Sequence, residues 1–308
     1  MEQPNVEPIS NYFFDYVKEH PENPWNYEYL SGNPNITWDI IQANPDRPWD
    51  YKFVSSNPNV TWDIVKANTG KDWDYSNLSG NPSITWEIIN ANPDEAWDYD
   101  LVSSNPSITW DIVQANPDKP WNYEELSLNP NINWDIVHAN PDKEWEYMYL
   151  SKNQNITWDI IQANPDRPWD YNNLSLNPNI TFDIVTANPD RPWSYVYFSA
   201  NPNITWDIIV SNPDKHWSYK YFSGNPNITF DIIDDNLDKD WDYAMLSGNE
   251  MSKNKFINNL SSIILRGGKR KSTRSTCKKR STFKRSTRKK RSNHKKRRTH
   301  KSRRRSRK

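Results

Sequence analysis

Tryptophan stands at Trp25, Trp49, Trp73, Trp97, Trp121, Trp145, Trp169, Trp193, Trp217 and Trp241, and every interval is 24 residues. A period this strict restricts the chain to architectures in which one supersecondary unit stacks on copies of itself. A second aromatic column runs through Trp38, Trp62, Trp86, Trp110, Trp134, Trp158 and Trp206, with Phe182 and Phe230 in its gaps and Phe14 at its head. Tyr follows the first column two residues on, from Tyr27 to Tyr243, Ser follows six on, from Ser31 to Ser247, and Asn eight on, from Asn33 to Asn249.

One unit, residues 33–56, has two similar halves, each opening on Asn-Pro with Trp-Asp five residues after the Asn. This predicts two short helices per unit, about 8–10 residues each, too short to persist alone. Pro keeps the preceding Asn out of the helical region and ends the helix before it. Thr37 is the predicted N-cap of the first helix, with Ile36 and Ile41 placed as a hydrophobic staple and Asp39 in the first turn. The second helix is expected to carry Pro48 in its first turn, with Trp49, Tyr51, Phe53 and Val54 as a broad apolar face. The alternation of Ile36, Trp38 and Ile40 also suits a strand. Recurrent Pro, the Ile40-Ile41 pair and only 7 Gly in the chain weigh against it.

The expected fold is therefore all-α, an α-solenoid of about ten 24-residue helix-turn-helix repeats. With layers about 9–10 Å apart, ten units predict a rod or superhelix on the order of 90 Å long. Residues 1–8 read as a leader, 9–249 as the repeats (9–24 being a leading half-unit), 250–265 as an amphipathic helix capping an open end, with Ser252 as its N-cap, and 266–308 as a disordered tail.

The double Trp-Asp unit resembles the tryptophan-rich repeat proteins encoded by giant, mimivirus-like DNA viruses, over residues 9–258. The resemblance implies large sets of paralogues with no established enzymatic activity, and expression in an infected host, near cytoplasmic viral factories. It says little about the tail.

The formal net charge of zero conceals a segregation. Residues 1–250 hold 13 basic and all 39 acidic residues, a net −26, while the last 58 residues hold 26 basic residues and no acidic one. The cations expected to bind nucleic acid are Lys269, Arg270, Lys271, Arg274, Lys278, Lys279, Arg280, Lys284, Arg285, Arg288, Lys289, Lys290, Arg291, Lys295, Lys296, Arg297, Arg298, Arg303, Arg304 and Arg305. Such a tract self-repels and neutralises DNA or RNA phosphates with steep salt dependence and little sequence preference. Competing readings are a nuclear targeting signal, with the tail as an address, and self-association between oppositely charged segments, screened as salt rises.

Little else points to chemistry. The single Cys277 excludes an intramolecular disulfide and a multi-cysteine zinc site. The five His fall at unlike repeat positions, and identical carboxylate columns supply no unequal acid–base pair. A calcium ladder along Asp39, Asp63 and Asp111 lacks the Gly-containing loop such repeats use. The Trp columns read as core rings rather than a stacking ladder, and the Asn columns as turn hydrogen bonds stacked along the array. No apolar run approaches a membrane span, and the N-terminus lacks the regions of a signal peptide. No cofactor or metal is expected and no enzyme, and the protein is placed inside the cell: host cytoplasm or virion, with the nucleus as an alternative. The variable positions 28, 29, 32, 42, 43 and their equivalents are the expected face for an unidentified protein partner.

Overall fold

The computed structural model describes residues 9–251, and side-chain surroundings from residue 13. The chain divides into two units, 1–256 and 257–308, and the described residues all lie in the first. The expected leader, the tail and the part of the expected capping helix beyond Met251 lie outside the described residues.

Among the described residues all regular structure is helical, in twenty short helices. They alternate between two kinds, here A and B. The first four are α1 (Ile9–Glu19, A), α2 (Tyr27–Gly32, B), α3 (Trp38–Ala43, A) and α4 (Tyr51–Ser56, B), and the last two are α19 (Phe230–Asp235, A) and α20 (Tyr243–Gly248, B). Ten A–B pairs make ten units, numbered here along the chain. The leading half-unit is α1, which is the A helix of unit 1.

Most helices are six residues long, shorter than expected, because both ends are fixed chemically. The Thr37 hydroxyl caps the A helix by accepting from the Ile40 N–H, as the sequence suggests. At the other end the Asn44 side-chain amide donates to the Ile40 carbonyl at 2.8 Å. The Asn44 carbonyl in turn accepts the Trp49 indole N–H at 2.8 Å. This clasp, with the Trp49 N–H bonded to the Arg47 carbonyl at 2.8 Å, holds Pro48 and Trp49 out of helical geometry. The B helix thus begins at Tyr51, after an Asp50 N-cap that accepts from the Lys52 N–H, and not at Pro48 as expected.

The B helix buries a Leu or Val in most units and Phe198 and Phe222 in units 8 and 9, packed with aliphatics such as Val60 and Val65 at 0–3% exposure. The Ser and Asn columns are buried as completely. Asn57 shows the arrangement. Its side-chain amide donates to the carbonyls of Ser31, Asn33 and Ile36 in the preceding repeat at 2.9, 3.0 and 2.9 Å, while its oxygen accepts from the Asn59 N–H. Ser31 donates to the Tyr27 carbonyl and accepts the N–H of Asp50, the next unit's cap, at 2.9 Å. The same bonds recur at Asn81, Asn105, Asn177, Asn201 and Asn225. The Asn columns are structural, and they join repeats as well as shaping turns.

The expected open rod is not what forms. The last unit docks on the first with the bonds that join any two neighbours. Asn33 donates to the carbonyls of Ser247 and Asn249 at 2.7 and 3.1 Å, and the Asn26 N–H donates to the Ser247 hydroxyl at 3.0 Å. Asn35 reaches the Glu250 carbonyl at 2.8 Å. Trp25 meets Tyr243 edge-on at 5.3 Å, matching the Tyr27–Trp49 pair at 5.4 Å. The longer α1 adds a latch: Tyr16 stacks on Phe230 at 3.6 Å and its hydroxyl donates to Asp234 at 2.7 Å. Ten units therefore close into a ring, each turning the chain by one tenth of a circle. Here α20 packs directly against α2, as any B helix does on its neighbour.

Nine of the ten neighbouring B-helix pairs pack directly on one another, and units 8 and 9 meet through Tyr197 and Tyr221, whereas successive A helices are bridged through indoles, as in the Trp38–Trp73 contact at 5.7 Å. In a closed ring the more tightly spaced layer has the smaller radius. The B helices therefore form the inner wall and the A helices the outer one.

Two substitutions test the polar core. Ser107 stands where all other units but that of Ser83 carry Asn, and its hydroxyl is the one buried side-chain polar atom without a partner among the described residues. The equivalent Asn131 donates to the carbonyls of Pro106 and Ile108. Ser107→Asn supplies those bonds to Pro82 and Ile84, and thermal or denaturant unfolding should show a gain of about 1 kcal/mol. Asn153→Ala strands the Ser127 carbonyl and the Asn155 N–H and takes one donor each from the carbonyls of Asn129 and Ile132, and the same measurement should show a loss of about 2–3 kcal/mol.

Candidate interaction surface

The exposed side of each B helix is carried by three positions, 52, 53 and 56 in unit 2, because Val54 and Ser55 point into the core. These are the equivalents of 28, 29 and 32, the positions whose variation marks a display face. The ring places all of them on its inner wall. Positions 42 and 43, exposed at the end of an A helix, lie on the outer wall. The expected display positions thus divide between two surfaces.

The inner wall is not uniform. Position 29 and its equivalents carry Tyr197 in unit 8, Tyr221 in unit 9, Met245 in unit 10, Tyr29 in unit 1 and Phe53 in unit 2. Tyr197 and Tyr221 meet at 5.1 Å, and Tyr29 and Phe53 at 6.0 Å. Small residues behind them allow the approach. A Cβ on Gly248 would stand 3.5 Å from the Tyr29 ring, and one on Gly224 would stand 3.7 Å from the Met245 sulfur. The result is one apolar strip over five consecutive units, crossing the junction of the chain's two ends. Tyr29 and Met245 remain 46% and 38% exposed, well above the core aliphatics, so the strip is available to a partner.

Units 4 to 6 are richer in carboxylates, although Leu101, Met148, Tyr149 and Lys152 share this part of the wall and Met148 is 42% exposed. Asp98 and Glu146 cap their B helices, and Asp100, Glu124 and Glu125 follow at the variable positions. Asn122 bridges two of these units by donating to Asp100 at 2.9 Å. Burial raises the Glu125 pKa above the usual carboxylate range, with Glu124, Asp100 and Asp98 adding to the rise and a Ser104 hydrogen bond opposing it. The Tyr149 hydroxyl is also pushed up, chiefly by its hydrogen bond to Glu124.

The Trp columns lie against the core, as expected, but most rings stay half-buried. Each indole of the first column packs edge-to-face on the Tyr of the preceding unit, as Trp97 does on Tyr75 at 5.5 Å. Clefts open beside these rings. One of about 250 Å3 is lined by Trp158, Trp169, Tyr171, Arg167 and Arg191. Eight of the 13 cations in residues 1–250 stand in a single column next to them: Arg47, Lys71, Lys119, Lys143, Arg167, Arg191, Lys215 and Lys239. Lys71, Lys143, Lys215 and Lys239 lie over the preceding unit's Tyr ring at 5.2–5.6 Å. Lys143, Lys215 and Lys239 also pair with the Asp before them. Where Glu95 occupies this column, the Tyr75 hydroxyl bonds to it instead, and burial together with that bond pushes the Tyr75 pKa up to about 12. Reading the sequence missed this column, although its 24-residue spacing was visible; the structure explains it as cations packed on Tyr.

Among the described residues no group of three or more His, Cys, Asp or Glu is placed to hold a metal ion, and no helix is long and apolar enough to cross a membrane. The twenty tail cations, from Lys269 to Arg305, lie outside the described residues. No family model matches the chain, and no curated protein or solved structure was found similar to it.

The Glu125 environment gives a pH test. A carboxyl whose folded pKa is raised holds its proton more tightly when folded, so stability falls as pH rises from the ordinary carboxylate range through the folded value. Glu125→Gln removes that loss. Melting curves should show the variant more stable than the parent at pH about 7, with the difference gone near pH about 3, where both states are protonated.

Proposed function

We propose that the protein is a non-enzymatic repeat scaffold that holds a protein partner on its ring and is anchored to nucleic acid by its cationic C-terminal tract. The observation that carries the first half is the inner wall. Its backbone frame is fixed by hydrogen bonds repeated in every unit, while its exposed positions change from unit to unit. That is how a repeat array separates stability from recognition. The second half rests on composition: the cations of 266–308 with no acidic residue among them. They suit phosphate neutralisation, and with Phe283 as the one aromatic there, base stacking contributes little. The family resemblance supports a viral protein acting in the host cytoplasm or packaged in the virion.

Binding of the full chain to single- and double-stranded oligonucleotides across a salt series tests the anchor. Replacing Arg288, Lys289, Lys290 and Arg291 with Gln should weaken binding for every sequence and flatten the slope of log K against log salt by up to about 3–4, since each phosphate contact contributes about 0.9. An unchanged slope would leave the tract without this role. The segregated charges favour a second reading, assembly of copies through opposite charge. It calls for salt-sensitive oligomers in sedimentation without nucleic acid.

A further inference from the structure

Ring closure gives the inner wall a geometry that the linear sequence does not have. The apolar strip spans units 8, 9, 10, 1 and 2 and is centred on unit 10. The acidic arc spans units 4, 5 and 6 and is centred on unit 5. In a ring of ten equal units these centres lie diametrically opposite. A ligand within the ring therefore meets Tyr29, Tyr221 and Met245 on one side and Asp100, Glu124 and Glu125 on the other.

The opening is wide enough to admit a helix and leave space beside it. Helices packed about 8–10 Å apart, ten to a ring, place their axes about 13–16 Å from the centre. Subtracting a helix radius of about 5 Å leaves an opening roughly 20 Å across, and an α-helix with its side chains is about 10–12 Å wide.

We propose that the ring's inner wall binds a cationic amphipathic helix, its apolar face on the seam strip and its Lys or Arg face toward the acidic arc. This rests on the scaffold reading above and names the partner's chemistry. Two observations carry it. The strip is exposed apolar surface with glycines behind it, so it is already packed on its own wall. The arc sets five carboxylates, Asp98, Asp100, Glu124, Glu125 and Glu146, against one cation of its own wall, Lys152, and the one inner-wall cation ion-paired across units, Lys220, pairs with Asp240 at 3.6 Å on the other side of the ring. A bare polycation satisfies only the arc, and an apolar peptide only the strip.

The test uses the full chain and a synthetic Leu/Lys amphipathic helical peptide of about five turns, read by fluorescence anisotropy. Comparators are a scrambled peptide of the same composition and a Lys homopolymer. The amphipathic peptide should bind at least tenfold tighter than either. Glu124→Gln with Glu125→Gln should weaken it about tenfold, and so should Tyr29→Ser with Tyr221→Ser. Asp183→Asn with Asp207→Asn removes two charges from the A helices of the outer wall and should leave binding unchanged. All these positions are exposed or half-exposed, and circular dichroism checks that each variant is folded. Equal loss from the outer-wall pair would mean bulk charge attraction and overturn the proposal, as would indifference to the Tyr pair. A concentration-dependent dimer abolished by the Tyr substitutions would assign the strip to a second copy and also overturn it. Oligonucleotide binding measured on the same samples separates this failure from failure of the anchor.

Discussion

The buried asparagine amide is the interaction on which the rest of this architecture depends. A unit of 24 residues with two six-residue helices has little apolar surface of its own and cannot stand alone. Neighbouring units share aliphatic contacts, but those are not directional. The Asn57 side chain and its equivalents supply direction. Each reaches up to three carbonyls of the preceding repeat and holds the turn of its own with its oxygen. At 0–5% exposure these bonds are shielded from water, and a group left with no partner, such as the Ser31 carbonyl without Asn57, costs its full desolvation. The ladder thus fixes the spacing and rotation between units, and constant rotation over ten units brings the chain back to its start.

Closure changes the meaning of the ends. An open array needs terminal units with a polar outer face. Here the first and last units cover each other, and the seam repeats the interior bonds, with Tyr16, Phe13 and Phe230 adding an aromatic latch. Residues at opposite ends of the chain become neighbours: Met245 and Tyr29 belong to one strip. The functional proposal follows from this adjacency, because a linear array would place the two halves of that strip at opposite ends of a rod.

Much of the local structure was legible. Thr37 read as a cap from its place before an apolar run, and it caps. The Asn column read as stacked turn hydrogen bonds because Asn recurs where a backbone turn is needed. The second helix was misplaced because Pro48 suits a first turn in general, and nothing local reveals that the Trp49 indole will clasp the Asn44 carbonyl. The ring was not legible at all. Curvature is the sum of small rotations set by side-chain volumes across many contacts, and a 24-residue period is equally compatible with a rod. The display positions were found by their variability, but their division between inner and outer walls, and the pairing of an acidic arc with an apolar strip, depend on closure.

The central claim is that unit 10 neighbours unit 1 as any unit neighbours the next. It is tested most directly by two doubly spin-labelled proteins in a Cys277→Ser background, one with labels at 28 and 244, the other at 124 and 148. These are equivalent positions in adjacent units, the first pair spanning the seam and the second in mid-array. The account predicts the same short distance distribution for both pairs. A 28–244 distance several times that of 124–148, approaching the ~90 Å of an extended stack, would contradict it.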